Sequence, residues 1–548
     1  MKPRFATSIG FLIIFIAGTG FPRTMGLRFL GDQEIKLPST PIRVTTKLIT
    51  VSVIVRDKRG QPVTDLTKDD FVLLDSKTPR AIQLFSMEKT EVVPPPERTL
   101  PPDTYSNEIG RGGGLPPNLT IILLDSLNTE LFDRAYARSQ VRKLLLTLRS
   151  ADRVALYALG PNLRVLHDFT SGASSLLTAL KEGKDDVLQD VDVPQPTLTN
   201  AVNPQMEGLA NQAVAIHSEQ LSQNRAAATG EALRAIADHV SYLPGRKNLI
   251  WISSAFPFYL ESSNIQRTPD GKKFVYPTET ELVERALSDA DIAVYPIDAR
   301  GLVSGGADEI ANESMDKEAA EMAETSNMEA LARRTGGRAY RDTNGINGSI
   351  RQTIDGSRVT YQLGFYPENV NWDGSFRKIQ VKVNRHDVQV QARDGYFALA
   401  EPNMTPELVR TMIAQAAHSR MDATGIRFAL HVAPVSAAAK NTLELSFSLD
   451  PSQFSFSTQN GELRDTVEVA FVTTNSNDHT LQTTIMPLPF NIDEQTYNHL
   501  VREGLSLRRE LAIPPGGTEL QVIVYDEGNS RVGSVRVPLA HYFAKSSN

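Results

Sequence analysis

The chain has 548 residues, 41% hydrophobic and 22% charged, and 57 Lys plus Arg against 64 Asp plus Glu leave a net charge of −7. That length exceeds a single core and the composition is that of folded protein, while mild acidity without a basic stripe argues against nucleic acid as a partner. The absence of cysteine excludes disulfides, lipid attachment through a thiol, thiol catalysis and Cys-ligated zinc.

The first stretch, "MKPRFATSIGFLIIFIAGTGFP", has Lys2 and Arg4, then apolar residues from Ile9 to Ala17, then small residues. This layout reads as a secretory signal over residues 1–20, cleaved after Gly20. An uncleaved anchor is the alternative, although the apolar core falls short of the ~20 residues of a membrane span. No later stretch is long and apolar enough to span. The expectation is a secreted or periplasmic protein with no membrane span beyond the signal, and a disulfide-free exported chain reads most simply as bacterial.

A β module is expected over 40–92. In "LITVSVIVR", Ile49, Val51, Val53 and Val55 alternate with mostly polar neighbours, the period of a half-buried strand, and "DFVLLD" and "AIQLFSM" read as further strands. Residues 93–117, rich in Pro and Gly, read as a linker. Its "RGGG" precedes a strand and lacks a following Lys-Ser/Thr, so it is no phosphate loop. Over 118–357 the pattern changes. Apolar runs "LTIILLD", "RVALYALG", "NLIWISS" and "DIAVYPID" alternate with segments of helical period, which implies a mostly parallel sheet covered on both faces. Residues 181–225 fit this pattern poorly and read as a partly loose insertion.

Alternation returns over 358–400, where Ile379, Val381 and Val383 share one side. These strands read as completing the 40–92 module, with two separate β units as the alternative. A linker helix is expected over 401–419. Leu443, Leu445, Phe447 and Leu449 then alternate within 420–548, which reads as an immunoglobulin-like β-sandwich.

In order, "IILLDSLNT", "DRVALYALGPNLRVLHDFT", "GRKNLIWISSAFP", "IAVYPIDARG" and "LARRTGGRAY" resemble a von Willebrand factor A domain. More closely, the chain resembles the von Willebrand factor A-related family of secreted acidobacterial proteins, over roughly residues 45–400. The resemblance implies a multidomain α/β plus all-β chain, with a Rossmann-like, doubly wound, mostly parallel domain inserted between β-sandwich segments. It brings no named reaction or ligand.

It also implies where a metal would sit. The family's adhesion site takes Asp-x-Ser-x-Ser after the first strand, a Thr from a second loop and an Asp after the fourth strand, which suits a hard cation wanting oxygen ligands. Here Asp125 matches the first Asp. Leu127 stands at the first Ser and brings no oxygen, Thr129 stands at the second, and Thr229 in "AAATGEAL" is the candidate loop Thr. Ser254 stands where the last Asp belongs. One ligand and one negative charge are missing, so the expectation is a degenerate site that binds Mg²⁺ or Mn²⁺ weakly or not at all. On the structural side, Asp125, Asn128 and Thr129 are residue types that cap a helix beginning near Glu130.

No catalytic constellation emerges. Ser253 and Ser254 lie outside a Gly-x-Ser-x-Gly elbow, and His167 and His239 belong to no ligand pair. The sequence therefore points to an exported, non-catalytic binding or adhesion protein that contacts a protein partner, and carries no cofactor with certainty. A structural component of the cell envelope is the alternative, and a hydrolase with an unrecognised site the third reading.

Overall fold

The computed structural model describes residues 48–89, 100–109, 118–188, 204–243, 245–257, 264–267, 273–276, 278–300, 326–341, 345–368, 371–399, 405–435, 441–459 and 461–543. The signal segment over 1–20 lies outside them, as do parts of the linker.

The N-terminal strands are β1 (Ile49–Asp57), β2 (Phe71–Asp75), β3 (Thr78–Arg80) and β4 (Leu84–Lys89), followed by a three-residue strand β5 (Thr104–Ser106). The next segment runs β6 (Leu119–Asp125), α1 (Leu131–Leu145), β7 (Val154–Leu159), β8 (Leu163–Thr170), α2 (Ala173–Leu188), α3 (Pro204–Val240), β9 (Lys247–Ser253), β10 (Asn264–Arg267), β11 (Lys273–Tyr276), α4 (Glu279–Asp289) and β12 (Ile292–Asp298). Helix α5 over 326–335 and α6 (Ile346–Gly356) close it. Four strands follow, β13 (Val359–Phe365), β14 (Asp373–Val383), β15 (Val388–Gln391) and β16 (Gly395–Leu399). The remainder is α7 (Pro406–His418), β17 (Phe428–Pro434), β18 (Thr442–Leu449), β19 (Ser457–Gln459), β20 (Glu462–Thr474), β21 (Thr480–Ile492), α8 (Glu494–Glu503), β22 (Leu505–Ala512), β23 (Glu519–Asp526), β24 (Val532–Pro538) and α9 (Ala540–Phe543).

Among the described residues these strands form six sheets. One, in the order β12-β9-β6-β7-β8, has parallel pairs between β12 and β9, β9 and β6, and β6 and β7, with β8 antiparallel at its edge. Leu119, Ile121 and Leu123 of β6 pack on one face with α3, α4 and α5, and Ile122 and Leu124 on the other with α1, α2 and α6. A strand covered on both faces is apolar throughout, as β6 and β9 are.

The other five sheets are antiparallel throughout. The fold-class expectation is corrected by this. Strand outweighs helix, small antiparallel sheets dominate the chain, and parallel pairing is confined to four strands, so the molecule as a whole is not built as a doubly wound, Rossmann-like parallel slab. The physical reason is that strands such as β2, β17, β18 and β22 bury every second residue over most of their length and pair as antiparallel ribbons. The C-terminal sheets hold four and five strands, β22-β18-β17-β5 against β19-β20-β23-β24 with β21 beside β20, so the sandwich expected over 420–548 takes one strand, β5, from outside those bounds.

Two local features differ from expectation, and a third follows it. Within 181–225, expected to be partly loose, the described residues are helix, the end of α2 and the start of α3. Within the linker, β5 pairs with β17, so the Pro-rich stretch carries an edge strand of a distant sheet. Strands from both sides of the central segment also pair, with β1 beside β13 and β2 beside β14.

Candidate functional site

β6 ends in Asp125 because its apolar run stops there, at the edge of the mixed sheet toward which β9 and β12 also point. The chain then turns against β7, where Ser126 and Leu127 N–H both donate to the Leu159 carbonyl at 2.7 and 3.1 Å. Leu127 packs against the core below, an apolar role that explains why it brings no ligand oxygen. From β9, Ser253 and Ser254 arrive beside the loop, and the Ala255 N–H donates to the Asn128 carbonyl at 3.1 Å.

Asp125 is buried, and its carboxylate is held by side chains and main chain around it. The Asn128 N–H donates to Oδ1 at 3.0 Å. Oδ2 accepts from Asn128 Nδ2 at 2.9 Å, Trp251 Nε1 at 2.9 Å and Ser253 Oγ at 3.0 Å. Oδ2 is thus crowded by three donors, while Oδ1 takes one of the about two it can accept. Burial pushes the Asp125 carboxyl above its ordinary range, and the four donors pull against that by favouring the ionised form.

Thr229, wholly buried on α3, accepts from Asn128 Nδ2 at 2.9 Å and donates its own proton to the Arg225 carbonyl at 2.7 Å. Thr129 Oγ1 accepts the Ser254 N–H at 3.2 Å, and Ser254 Oγ donates to Asp133 Oδ2 at 2.6 Å. The structure thus brings Asp125, Thr129, Thr229 and Ser254 to one rim, with Asn128 between the first and third. Helix α1 takes Glu130 as its N-cap with no side-chain capping bond, so the capping role expected of Asp125 and Thr129 is replaced by bonds to Asn128 and to β9.

Sequence reasoning misses three participants. Trp251 and Ser253 read simply as strand residues, and Asp133 as part of a helix. Asp133 means the rim holds two carboxylates rather than one, which corrects the count of lost charge. It stands half-buried at the outer edge, on the first turn of α1, while Asp125 lies beneath.

The residues at the rim do not fit a resident divalent cation. An ion at Asp125 would have to displace an indole N–H, an amide and a hydroxyl that already hold the carboxylate, and both threonine hydroxyls are committed. Among the described residues no group of three or more His, Asp or Glu gathers as a metal site. His167 meets the Asp168 carbonyl at 2.7 Å and His239 the Asp422 carbonyl at 2.6 Å, each through Nδ1.

Beside the rim the surface changes character. Leu131 and Phe132, at the start of α1, are 57% and 88% exposed. Elsewhere Trp372 is half-buried against the core of the first β module, with the Arg377 guanidinium 5.6 Å from its ring centre.

No protein-family model matches this chain, and no curated protein does. Solved structures similar to it include an aerotolerance-related membrane protein from Bacteroides fragilis, 15% identical over 43% of this chain and 98% of that one, at a TM-score of 0.23. The pilus adhesin SpaC from Lactobacillus rhamnosus GG is 10% identical over 83% of this chain and 57% of that one, at 0.25. The PilB minor pilin from Streptococcus sanguinis is 9% identical over 57% and 87%, at 0.23. These neighbours carry membrane and pilus names, and at such TM-scores the likeness carries no functional conclusion. Among the described residues no helix is long and apolar enough to cross a membrane.

Proposed function

We propose that this is an exported, non-catalytic protein that binds a protein partner at the rim around Asp125, with no metal required for the contact. One observation carries the reading: an exposed apolar pair, Leu131 and Phe132, stands beside a polar network that is already satisfied from within. An aromatic ring exposed to water on a helix start supplies contact area at low entropic cost and is a typical interface anchor. A site whose hydrogen bonds are closed internally offers a rigid frame for that anchor rather than an acid, base or nucleophile. Export rests on the N-terminal signal pattern.

The test is capture from periplasmic and extracellular material on the immobilised full chain, with and without chelator, beside the Phe132→Asp variant. A partner retained in chelator and lost on Phe132→Asp supports the reading. Capture that needs a divalent cation, or that ignores Phe132→Asp, contradicts it. No partner in any fraction favours an envelope component in which this segment is a spacer.

A further inference from the structure

The Asn128 side chain sits between the two groups that a cation would have joined. Its Nδ2 lies 2.9 Å from Asp125 Oδ2 and 2.9 Å from Thr229 Oγ1, linking the end of β6 to α3 across 101 positions of sequence. The orientation of the amide follows from its partners. Asp125 can only accept when ionised, and Thr229 has already given its proton to the Arg225 carbonyl, so both face a donor. The backbone of the same residue is pinned too, its N–H on Asp125 Oδ1 and its carbonyl under the Ala255 N–H. An amide nitrogen this close to both oxygens leaves no room for Mg²⁺ or Mn²⁺, which bind oxygens at roughly 2.0–2.2 Å.

We propose that the Asn128 carboxamide stands in for a divalent cation, holding Asp125 and Thr229 together so that the rim keeps one shape whatever the metal supply. The two amide protons meet the same two oxygens that an ion would bridge. Trp251 and Ser253 supply the remaining donation to the carboxylate, which stays buried without a counter-ion. The site for a cation is then latent, its bridging position taken by the Asn128 side chain while Trp251 and Ser253 also hold the carboxylate. This rests on the rim's geometry and not on the partner reading.

Replacing the amide with an acid removes both donated protons and sets a second carboxylate beside Asp125, an arrangement that repels itself unless a cation enters. The test is thermal unfolding of the full chain in chelator and in millimolar Mn²⁺, for wild type, Asn128→Asp, Asn128→Ser, and Asn128→Asp combined with Asp125→Asn. Wild type should melt at the same temperature in both. Asn128→Asp should melt lower than wild type in chelator and gain at least about 2 °C in Mn²⁺, a gain that the added Asp125→Asn removes. If Asn128→Asp does not fold in chelator, its recovery in Mn²⁺ supports the proposal equally. If it folds in neither, Asn128→Ser decides by Mn²⁺ binding in electron paramagnetic resonance: binding above wild type supports the proposal, and none overturns it. It is overturned as well by a wild type that Mn²⁺ stabilises through Asp125, or by folded variants indifferent to Mn²⁺.

Discussion

Asp125 accepts from Trp251 and Asn128, while Asn128 Nδ2 also meets Thr229 Oγ1 at 2.9 Å and Ser253 Oγ lies 2.8 Å from the Ala255 carbonyl. Removing the carboxylate in Asp125→Ala takes this buried acceptor from the Trp251 indole N–H and from one proton of the Asn128 amide, at a cost on the order of 2–5 kcal/mol. Denaturant melts followed by tryptophan fluorescence measure it, and a loss under about 1 kcal/mol would mean the network is not closed as described. Asp125 is legible as an acid at a strand end, and Thr129 and Thr229 through the pattern of the family the chain resembles. Trp251 is not, since its donor role depends on β9 lying parallel beside β6, with Leu123 opposite Trp251. Asp133 is hidden for another reason. An acid in the first turn of a helix is the ordinary partner of the helix dipole, so nothing in the sequence marks this one for Ser254.

Between elements, charge is held where the first β module meets the mixed sheet. Asp291, in the turn before β12, accepts from Ser52 Oγ at 2.6 Å and Gln362 Nε2 at 2.8 Å. Burial, with Asp291 nearby, pushes Glu88 on β4 up to about 7. Burial likewise pulls Lys247 at the start of β9 down to about 8. The folded chain holds the Glu88 proton more tightly than the unfolded chain. Its contribution is therefore present below the unfolded value near 4.5 and is lost as pH climbs from there through about 7. Glu88→Gln should flatten that decline, read as a smaller difference between urea midpoints at pH 5 and pH 7.5 than in wild type. An equal difference would place Glu88 outside the cluster. Close backbone approach makes a second prediction. A Cβ at Gly337 would fall 1.8 Å from the Val294 carbonyl on β12, so Gly337→Ala should reach the upper end of the ~1–3 kcal/mol of overpacking, or prevent folding. Elements with strong one-sided burial, such as β18 with Leu443, Leu445, Phe447 and Leu449, are readable from alternation, whereas β1, expected to be half-buried, is buried on both faces at Ser52 and Ile54 as well. Of helix α3 only the end, from 226 on, is readable, because the apolar stripe of Leu233, Ile236 and Val240 occupies only its last turns, and the Ala- and Gln-rich length before them shows no comparable period.

At the scale of the molecule, the chain is tied together by segments far apart in sequence. Asn107, two residues beyond the middle of β5, is buried. Its Nδ2 donates to the Ala423 and Ile426 carbonyls at 2.6 and 2.8 Å, and its Oδ1 accepts the Phe428 N–H at 3.0 Å. Asn107→Ala should leave these main-chain groups unpaired and cost on the order of 2–4 kcal/mol in the transition that unfolds the C-terminal sheets. An unchanged transition would return the segment to the linker that composition suggests. Sequence could not show this, since three residues of strand carry no measurable period and the partner lies more than 300 positions on. The same limit explains why the parallel strands are over-weighted in a reading of the sequence. Fully apolar runs stand out, while short half-buried strands such as β3, β15 and β19 barely register, and it is the antiparallel sheets they join that make up most of the fold.

The claim on which the rest stands is that the rim is closed by its own side chains. Calorimetric titration of Mg²⁺ and Mn²⁺ into the wild-type full chain tests it most directly. The expected result is no saturable binding at micromolar concentration that depends on Asp125, and micromolar affinity abolished by Asp125→Ala would contradict it.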